Sequence, residues 1–405
     1  MAQLKRKRGS SDVPLRQRPA PAEAPVPHPS QILTLPPIME GCEDLPAEEQ
    51  LALFRQDAKE KVAHWARTVP VYRVDQNWEE LAERPRNKPE DKEKAQQTIR
   101  DMRTLKPDAC SGVWGDRDGK ILLCAFSRMI LLPDNPESPE TIQTRCKKAP
   151  FYPGVKGRSK AVVEAAENIY SHRIPLSQAN ALERNHILAQ TLHSYLPPRM
   201  DPKDRRHPEQ EDVMAYSLFE GDHGRPGVEN HNPAIKHERA GVSHLLHSWH
   251  QQGHPNGTLT PSKDMVHGTH AAMAVRRYYI GTQNLAGMLQ EAFKVAFPDY
   301  YQEYMQAFKA GVWWTEDPGP WLGRAIVWKL QVQPHMDASD VGPTAAFNCG
   351  SYDDGPMYLP DLKLKLAYAP GDLLIFLSGH LYHAVGHWEP RPHPSGLLTP
   401  GRIGN

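Results

Sequence analysis

In this chain of 405 residues, the side chains best able to do chemistry gather near the C-terminal end, between His335 and Arg402. The run Gln333-Pro334-His335-Met336-Asp337 sets an imidazole and a carboxylate two residues apart. On a strand, residues i and i+2 point to the same side, so His335 and Asp337 would be presented together. A histidine on another strand would complete a face of two histidines and one carboxylate. Such a face leaves three coordination positions open, which suits Fe(II) that has to take both a cosubstrate and O2. His383 is the best third ligand, and His380 and His387 compete for the role on the same segment. A His-x-Asp pair alone is common by chance. A distal histidine and a terminal arginine, Arg402, make the set far more specific.

These residues need strands to hold them. Between Arg324 and Val332, Ile326, Trp328, Leu330 and Val332 alternate with Val327, Lys329 and Gln331, the period of a strand. Leu362 to Leu366 alternates more cleanly, and Leu373 to Leu377 is a short apolar run after Pro370-Gly371, as in a buried strand. Gly112 to Phe126 reads as a hairpin turning at Asp118-Gly119. Short strands between Gly/Pro turns suggest a sandwich or jelly roll. Helices are expected from Pro46 to Arg67, where Leu51, Phe54, Ala58, Val62 and Trp65 form one apolar face, from Leu182 to Leu196, and from Gln290 to Lys309. Val242, Leu245, Leu246 and Trp249 also fall on one helical face. His244, His247 and His250 then lie away from it and read as surface histidines, because no carboxylate or cysteine stands in register with them.

The stretch from Gln333 to Arg402 resembles the TET/JBP family of Fe(II)- and 2-oxoglutarate-dependent nucleic-acid-modifying dioxygenases, and most of all its fungal members. The resemblance rests on Pro334-His335-Met336-Asp337, on Gly355-Pro356-Met357-Tyr358-Leu359-Pro360-Asp361-Leu362, on Pro370-Gly371-Asp372-Leu373-Leu374-Ile375-Phe376, on Tyr382-His383-Ala384-Val385 and on Pro400-Gly401-Arg402-Ile403. It extends more thinly back to Gly112. It implies an α+β chain with a double-stranded β-helix (jelly roll) core enclosed by helices. It implies that His335, Asp337 and His383 are iron ligands, and that Arg402 pairs with the distal carboxylate of 2-oxoglutarate, a task that suits a forked guanidinium. Asp340, three residues after the carboxylate ligand, matches the position that contacts a flipped base. An ionised carboxylate accepts and cannot donate, so it suits the amino group of cytosine or of adenine. The implied activity is oxidation of 5-methylcytosine in methylated DNA to hydroxymethyl, formyl and carboxyl products with Fe(II), 2-oxoglutarate and O2. Two alternatives stand beside it: demethylation of N6-methyladenine at the same site, and a catalytically inactive DNA-binding module. Family members continue into a further apolar strand after the position of Arg402, whereas this sequence ends at Asn405, so an unpaired sheet edge is expected.

The charges balance, with 48 Lys and Arg against 48 Asp and Glu, which argues against a generally basic, non-specific nucleic-acid binder. Local basic groups stand at Lys147, Lys148, Lys156, Arg158 and Lys160, and at Arg199, Lys203, Arg205 and Arg206. No apolar run approaches the ~20 residues that span a bilayer, so no membrane contact is expected. The 5 cysteines form no Cys-x-x-Cys pair, which fits a reducing compartment. Cys349 lies between the ligand segments and reads as a buried filler. Residues 1–45 read as a disordered Pro-rich tail in which Lys5-Arg6-Lys7-Arg8 resembles a nuclear-localisation cluster. Residues 46–110 read as a helical N-terminal segment, and 111–405 as a catalytic domain with a His-rich helical or loop insertion near 200–270. A monomer in the nucleus is expected.

Overall fold

The computed structural model describes residues 35–39, 41–108, 110–127, 176–199, 206, 240–250, 256–337, 339–390 and 401–404. The helices are α1 Ala47–Thr68, α2 Trp78–Glu83, α3 Pro89–Met102, α4 Leu176–Tyr195, α5 Lys263–Val266, α6 Gly268–Gly281, α7 Gln283–Ala296 and α8 Pro298–Gly311. The strands are β1 Val71–Arg73, β2 Gly112–Gly115, β3 Ile121–Phe126, β4 Gly241–Leu246, β5 Gly323–Trp328, β6 Val332–His335, β7 Thr344–Asp354, β8 Met357–Leu359, β9 Leu364–Leu366, β10 Leu373–Phe376, β11 His383–Val385, β12 Trp388–Pro390 and β13 Gly401–Gly404. One sheet runs β1-β2-β3-β10-β7-β13-β5-β4, with β12 also paired to β7; a smaller sheet runs β6-β11-β8-β9. The Lys5–Arg8 cluster, Lys147–Lys160, Lys203, Arg205 and Cys146 lie outside the described residues. No described helix is long and apolar enough to cross a membrane.

Strand alternation sorts the core into two bodies. On the large sheet, Phe347, Leu373 and Ile375 face the helices, where they share a cluster with Phe54, Val62 and Trp65 of α1 and Phe293 of α7. Their neighbours Leu374 and Phe376 point the other way, as do Leu123 and Ala125 of β3. These meet Met357, Leu359, Leu364 and Val385 of the small sheet. The large sheet is therefore apolar on both faces, and each successive side chain of β10 is buried. In the β2–β3 hairpin the Asp116 carboxylate accepts from the backbone N–H groups of Asp118, Gly119 and Lys120. That cap and the positive φ of Gly119 close the turn at the expected place.

Four expectations change in the structure. The run from Arg324 to Val332 is two strands in different sheets, because Lys329 takes a left-handed conformation with φ 53° and ends β5. The helical region from Gln290 to Lys309 divides into α7 and α8 at Phe297-Pro298, since proline has no N–H to carry the helix on. Leu362 closes a 3-10 turn, Pro360–Leu362, so only Leu364–Leu366 remains as strand. Residues 241–246 form strand β4 instead of a helix, pairing along the whole of β5. Its short apolar run fits either periodicity, and the β5 edge decides between them.

Strand β13 pairs with Asn348 to Ser351 on β7 and with Val327 and Trp328 on β5. Beyond Gly404 the flanking stretches 344–347 and 323–326 have no strand between them among the described residues.

Candidate metal centre

Register places the first two ligands. In the β6–β11 pair His383 stands directly opposite His335. The rings lie 4.2 Å apart between centroids. His335 Nδ1 hydrogen-bonds the Gln333 carbonyl at 2.9 Å, and His383 Nδ1 the Leu381 carbonyl at 3.1 Å. A carbonyl only accepts, so each Nδ1 carries a proton and Nε2 is the ring nitrogen that faces the site. Both Nε2 atoms lie 3.4 Å from the Asp337 carboxylate, one on each oxygen.

The three donor atoms lie within 4.8 Å of one another. Two lone pairs and a carboxylate converging in a buried site repel one another unless a proton or a cation stands between them. The donor set of two imidazoles and one carboxylate therefore fits a divalent transition metal with open positions. Burial alone would raise the Asp337 pKa, but hydrogen bonds and charge from the two histidines hold it well below the usual carboxylate range. Burial, and then the charge of His383, push His335 down.

His335, Asp337 and His383 line a cavity of about 240 Å³, room for a small organic acid and not merely a water. Its walls come from both sheets, and Arg402 lies on the same cavity. Arg402 is 4% exposed, stacks at 5.3 Å over the Tyr368 ring, and has no hydrogen-bond partner at Nε. No described carboxylate forms an ion pair with it. A buried guanidinium with spare donors at the edge of a cavity is a ready site for an anion. Gly404 makes room for it, because a Cβ there would sit 3.3 Å from Nη1.

Asp340 follows Asp337 in a turn, its N–H donating to the Asp337 carbonyl at 2.9 Å. Its Oδ2 accepts from both Thr344 Oγ1 at 2.6 Å and Ser378 Oγ at 2.8 Å. Oδ1 has no partner among the described residues. Burial pushes the Asp340 pKa up from its ordinary value, against the two hydroxyl hydrogen bonds. Thr344, not Asp340, lines the cavity, and Asp340 is joined to it through the Thr344 hydroxyl.

Neither competing histidine joins the group. His380 faces Arg86 at 3.2 Å and stacks edge-on against Trp78, while exposed His387 pairs with Glu389. Cys349 is fully buried away from the cavity, and burial pushes its thiol up to about 12. Arg206, singled out only as part of a basic run, instead lies on the cavity with Nη1 3.7 Å from Asp337. His247 is also not the surface histidine it resembled. It is buried, hydrogen-bonds Asp317 at 3.0 Å, and accepts at Nδ1 from the backbone N–H groups of Trp313 and Trp314. Asp317 in turn pairs with Arg324 at 2.6 Å. That pairing occupies Arg324, and Arg276 is paired with Glu316, so Arg402 is left as the spare guanidinium among the three. Contacts such as Thr344–Ser378 and His247–Asp317 join distant parts of the chain, and nothing in local spacing announces them.

A solved structure of NgTET1 in complex with 5mC DNA is similar over 87% of this chain and 88% of that one, at 10% identity and a TM-score of 0.38. A solved structure of OsALKBH1 is similar over 29% of this chain and 60% of that one, at 20% identity and a TM-score of 0.20. No protein-family model matches, and no curated protein does. Neither structural likeness is one from which residue roles transfer.

Proposed function

We propose that this chain is an Fe(II)- and 2-oxoglutarate-dependent dioxygenase that oxidises the methyl group of 5-methylcytosine in DNA. The observation that carries the reading is the convergence of His335 Nε2, His383 Nε2 and the Asp337 carboxylate on a cavity that also holds Arg402. The motif resemblance supplies the substrate class. On this reading the two sheets are the halves of a double-stranded β-helix, and His335, Asp337 and His383 hold the ion. A bound ferrous ion, with 2-oxoglutarate and O2, supplies the chemistry that converts a methyl group to hydroxymethyl and, on repetition, to formyl and carboxyl.

The remaining work belongs to side chains. The carbonyls of Gln333 and Leu381 hold the Nδ1 protons of both histidines, so Nε2 is the nitrogen that each ring would offer to the ion. Arg402 grips the distal carboxylate of the cosubstrate with a fork that its strand holds in place. A base in duplex DNA cannot reach an enclosed site, so the methylated nucleotide must leave the stack. Thr344 and Ser378 pin one oxygen of Asp340 and leave the other to accept the exocyclic amino group. The same carboxylate serves the amino group of N6-methyladenine, which makes that base the second reading. The Lys5–Arg8 cluster would take the protein to the nucleus, where methylated DNA is the partner, and we propose that it acts there as a monomer.

The test is 2-oxoglutarate turnover with Fe(II) under air, comparing a methylated duplex with its unmethylated twin. Methylation-dependent stimulation is expected. Equal turnover on both duplexes would remove DNA methyl groups as the substrate.

A further inference from the structure

The ligands all come from the last third of the chain, but the backbone between two of them is held from its beginning. Asn87 lies between α2 and α3 in a left-handed conformation, φ 56°. Its Oδ1 accepts from the Met336 N–H at 2.9 Å, and its Nδ2 donates to the Met336 carbonyl at 2.9 Å. One carboxamide thus satisfies both backbone groups of Met336, as a neighbouring strand would. Met336 stands between His335 and Asp337. Its N–H belongs to the peptide plane shared with His335, and its carbonyl to the plane shared with Asp337. Two hydrogen bonds from one rigid amide fix both planes, and with them the directions in which the two side chains leave the backbone.

A second brace runs from the same connection to the third ligand. The Arg84 guanidinium forks onto Asp361 at 2.7 and 2.8 Å, donates to the His380 carbonyl at 2.7 Å, and touches Met336 Sδ at 3.6 Å. Asp361 Oδ2 also accepts from the Tyr382 N–H at 2.7 Å, and Tyr382 precedes His383. Residues 84 and 87 therefore tie down both ligand-bearing segments. Neither Arg84, Asn87 nor Asp361 lines the cavity, so none of them is placed to touch an ion or a substrate.

We propose that Asn87, braced by the Arg84–Asp361 pair, is a positioning residue of the metal centre. It presets the peptide planes on either side of Met336 so that His335 and Asp337 converge before an ion arrives. This rests on reading His335, Asp337 and His383 as metal ligands. Partners of this kind, which act through the ligands, typically change metal affinity 10- to 100-fold when they are removed.

The experiment titrates the full chain with Co(II) alone, following its visible absorption, for the wild type, Asn87→Gly and His383→Ala. Glycine keeps the left-handed backbone and removes only the carboxamide, so the loop retains its course. Thermal unfolding of the metal-free proteins is recorded alongside. The expected result is one Co(II) bound by the wild type, binding at least about tenfold weaker in Asn87→Gly, and a metal-free Tm close to that of the wild type. One Co(II) bound with unchanged affinity by Asn87→Gly overturns the proposal, whether or not Tm falls, and leaves the metal reading intact. Equal binding by the wild type and His383→Ala, or no binding by either, overturns the metal reading itself and the proposal with it.

Discussion

His335 and His383 use one device twice. Each donates Nδ1 to the carbonyl two residues earlier and so frees Nε2 for the site. Replacing His335, Asp337 or His383 by alanine should abolish tight binding of one divalent ion, since two protein ligands rarely hold Fe(II) against water. His380→Ala should bind as the wild type does, because His380 faces Arg86. Metal titration of the four variants checks this, and loss of the ion in His380→Ala alone would show the third ligand to be misassigned. Arg402→Lys keeps the charge and loses the fork, so the apparent Kd for 2-oxoglutarate should rise tenfold or more with metal affinity unchanged. Titration of 2-oxoglutarate into the anaerobic Fe(II) protein, followed by visible absorption, reads it. Asp340→Ala removes a charged hydrogen-bond acceptor worth about 1.5–3 kcal/mol. Specificity for the methylated base should then fall on the order of tenfold to a hundredfold, while 2-oxoglutarate turnover without DNA persists. Wild-type rates on both 5-methylcytosine and N6-methyladenine duplexes would reduce Asp340 to a turn residue. The pair His335 and Asp337 was legible in the sequence because strand geometry alone puts i and i+2 together. His383 was already favoured over His380 in the sequence, but what brings it opposite His335 is the register between β6 and β11. The neighbours Asn87, Thr344 and Ser378 reach the site across long separations and leave no periodic trace.

At the scale of elements, strand β13 delivers Arg402 by lying between β7 and β5. Arg402 stands opposite Gly350, whose φ is 111° and where an added Cβ would meet the Gly401 carbonyl at 2.2 Å. Gly350→Ala should therefore push β13 away and weaken 2-oxoglutarate binding, although it touches neither metal nor cosubstrate. Unchanged cosubstrate affinity in a folded Gly350→Ala protein would disconnect β13 from that role. Asp317 lies on the same cavity. Burial would raise its pKa, but the Arg324 guanidinium, and after it His247, hold it below the usual carboxylate range. A depressed folded pKa stabilises the protein above the unfolded value of about 3.9, and the gain is lost as pH falls through the folded value. Asp317→Asn should cost about 3–5 kcal/mol at neutral pH, because it strands the buried Arg324 charge, and the variant should lose less stability on acidification. Denaturant unfolding at neutral and acid pH checks both signs. Strand β10 and the β2–β3 hairpin were readable because an apolar run after Pro370-Gly371 and a turn at Asp118-Gly119 are local signals. The division of the run from Arg324 to Val332 was not, because one left-handed residue, Lys329, sends its two halves to different sheets.

At the scale of the whole molecule, helices α1, α4, α6 and α7 cover one face of the large sheet while the small sheet covers the other, and the cavity opens between the sheets. The sequence suggested both the sheet-rich core and the helices around it. It could not disclose that β5 and the start of β7, far apart along the chain, together wall the cavity. Product identity is the most direct test of methyl oxidation by this protein. Mass spectrometry of nucleosides, after incubation of a 5-methylcytosine duplex with the protein, Fe(II), 2-oxoglutarate and air, should show 5-hydroxymethylcytosine appearing as 5-methylcytosine declines, with none formed by Asp337→Ala. An unchanged 5-methylcytosine content, from protein that binds one Fe(II) and 2-oxoglutarate, would contradict it.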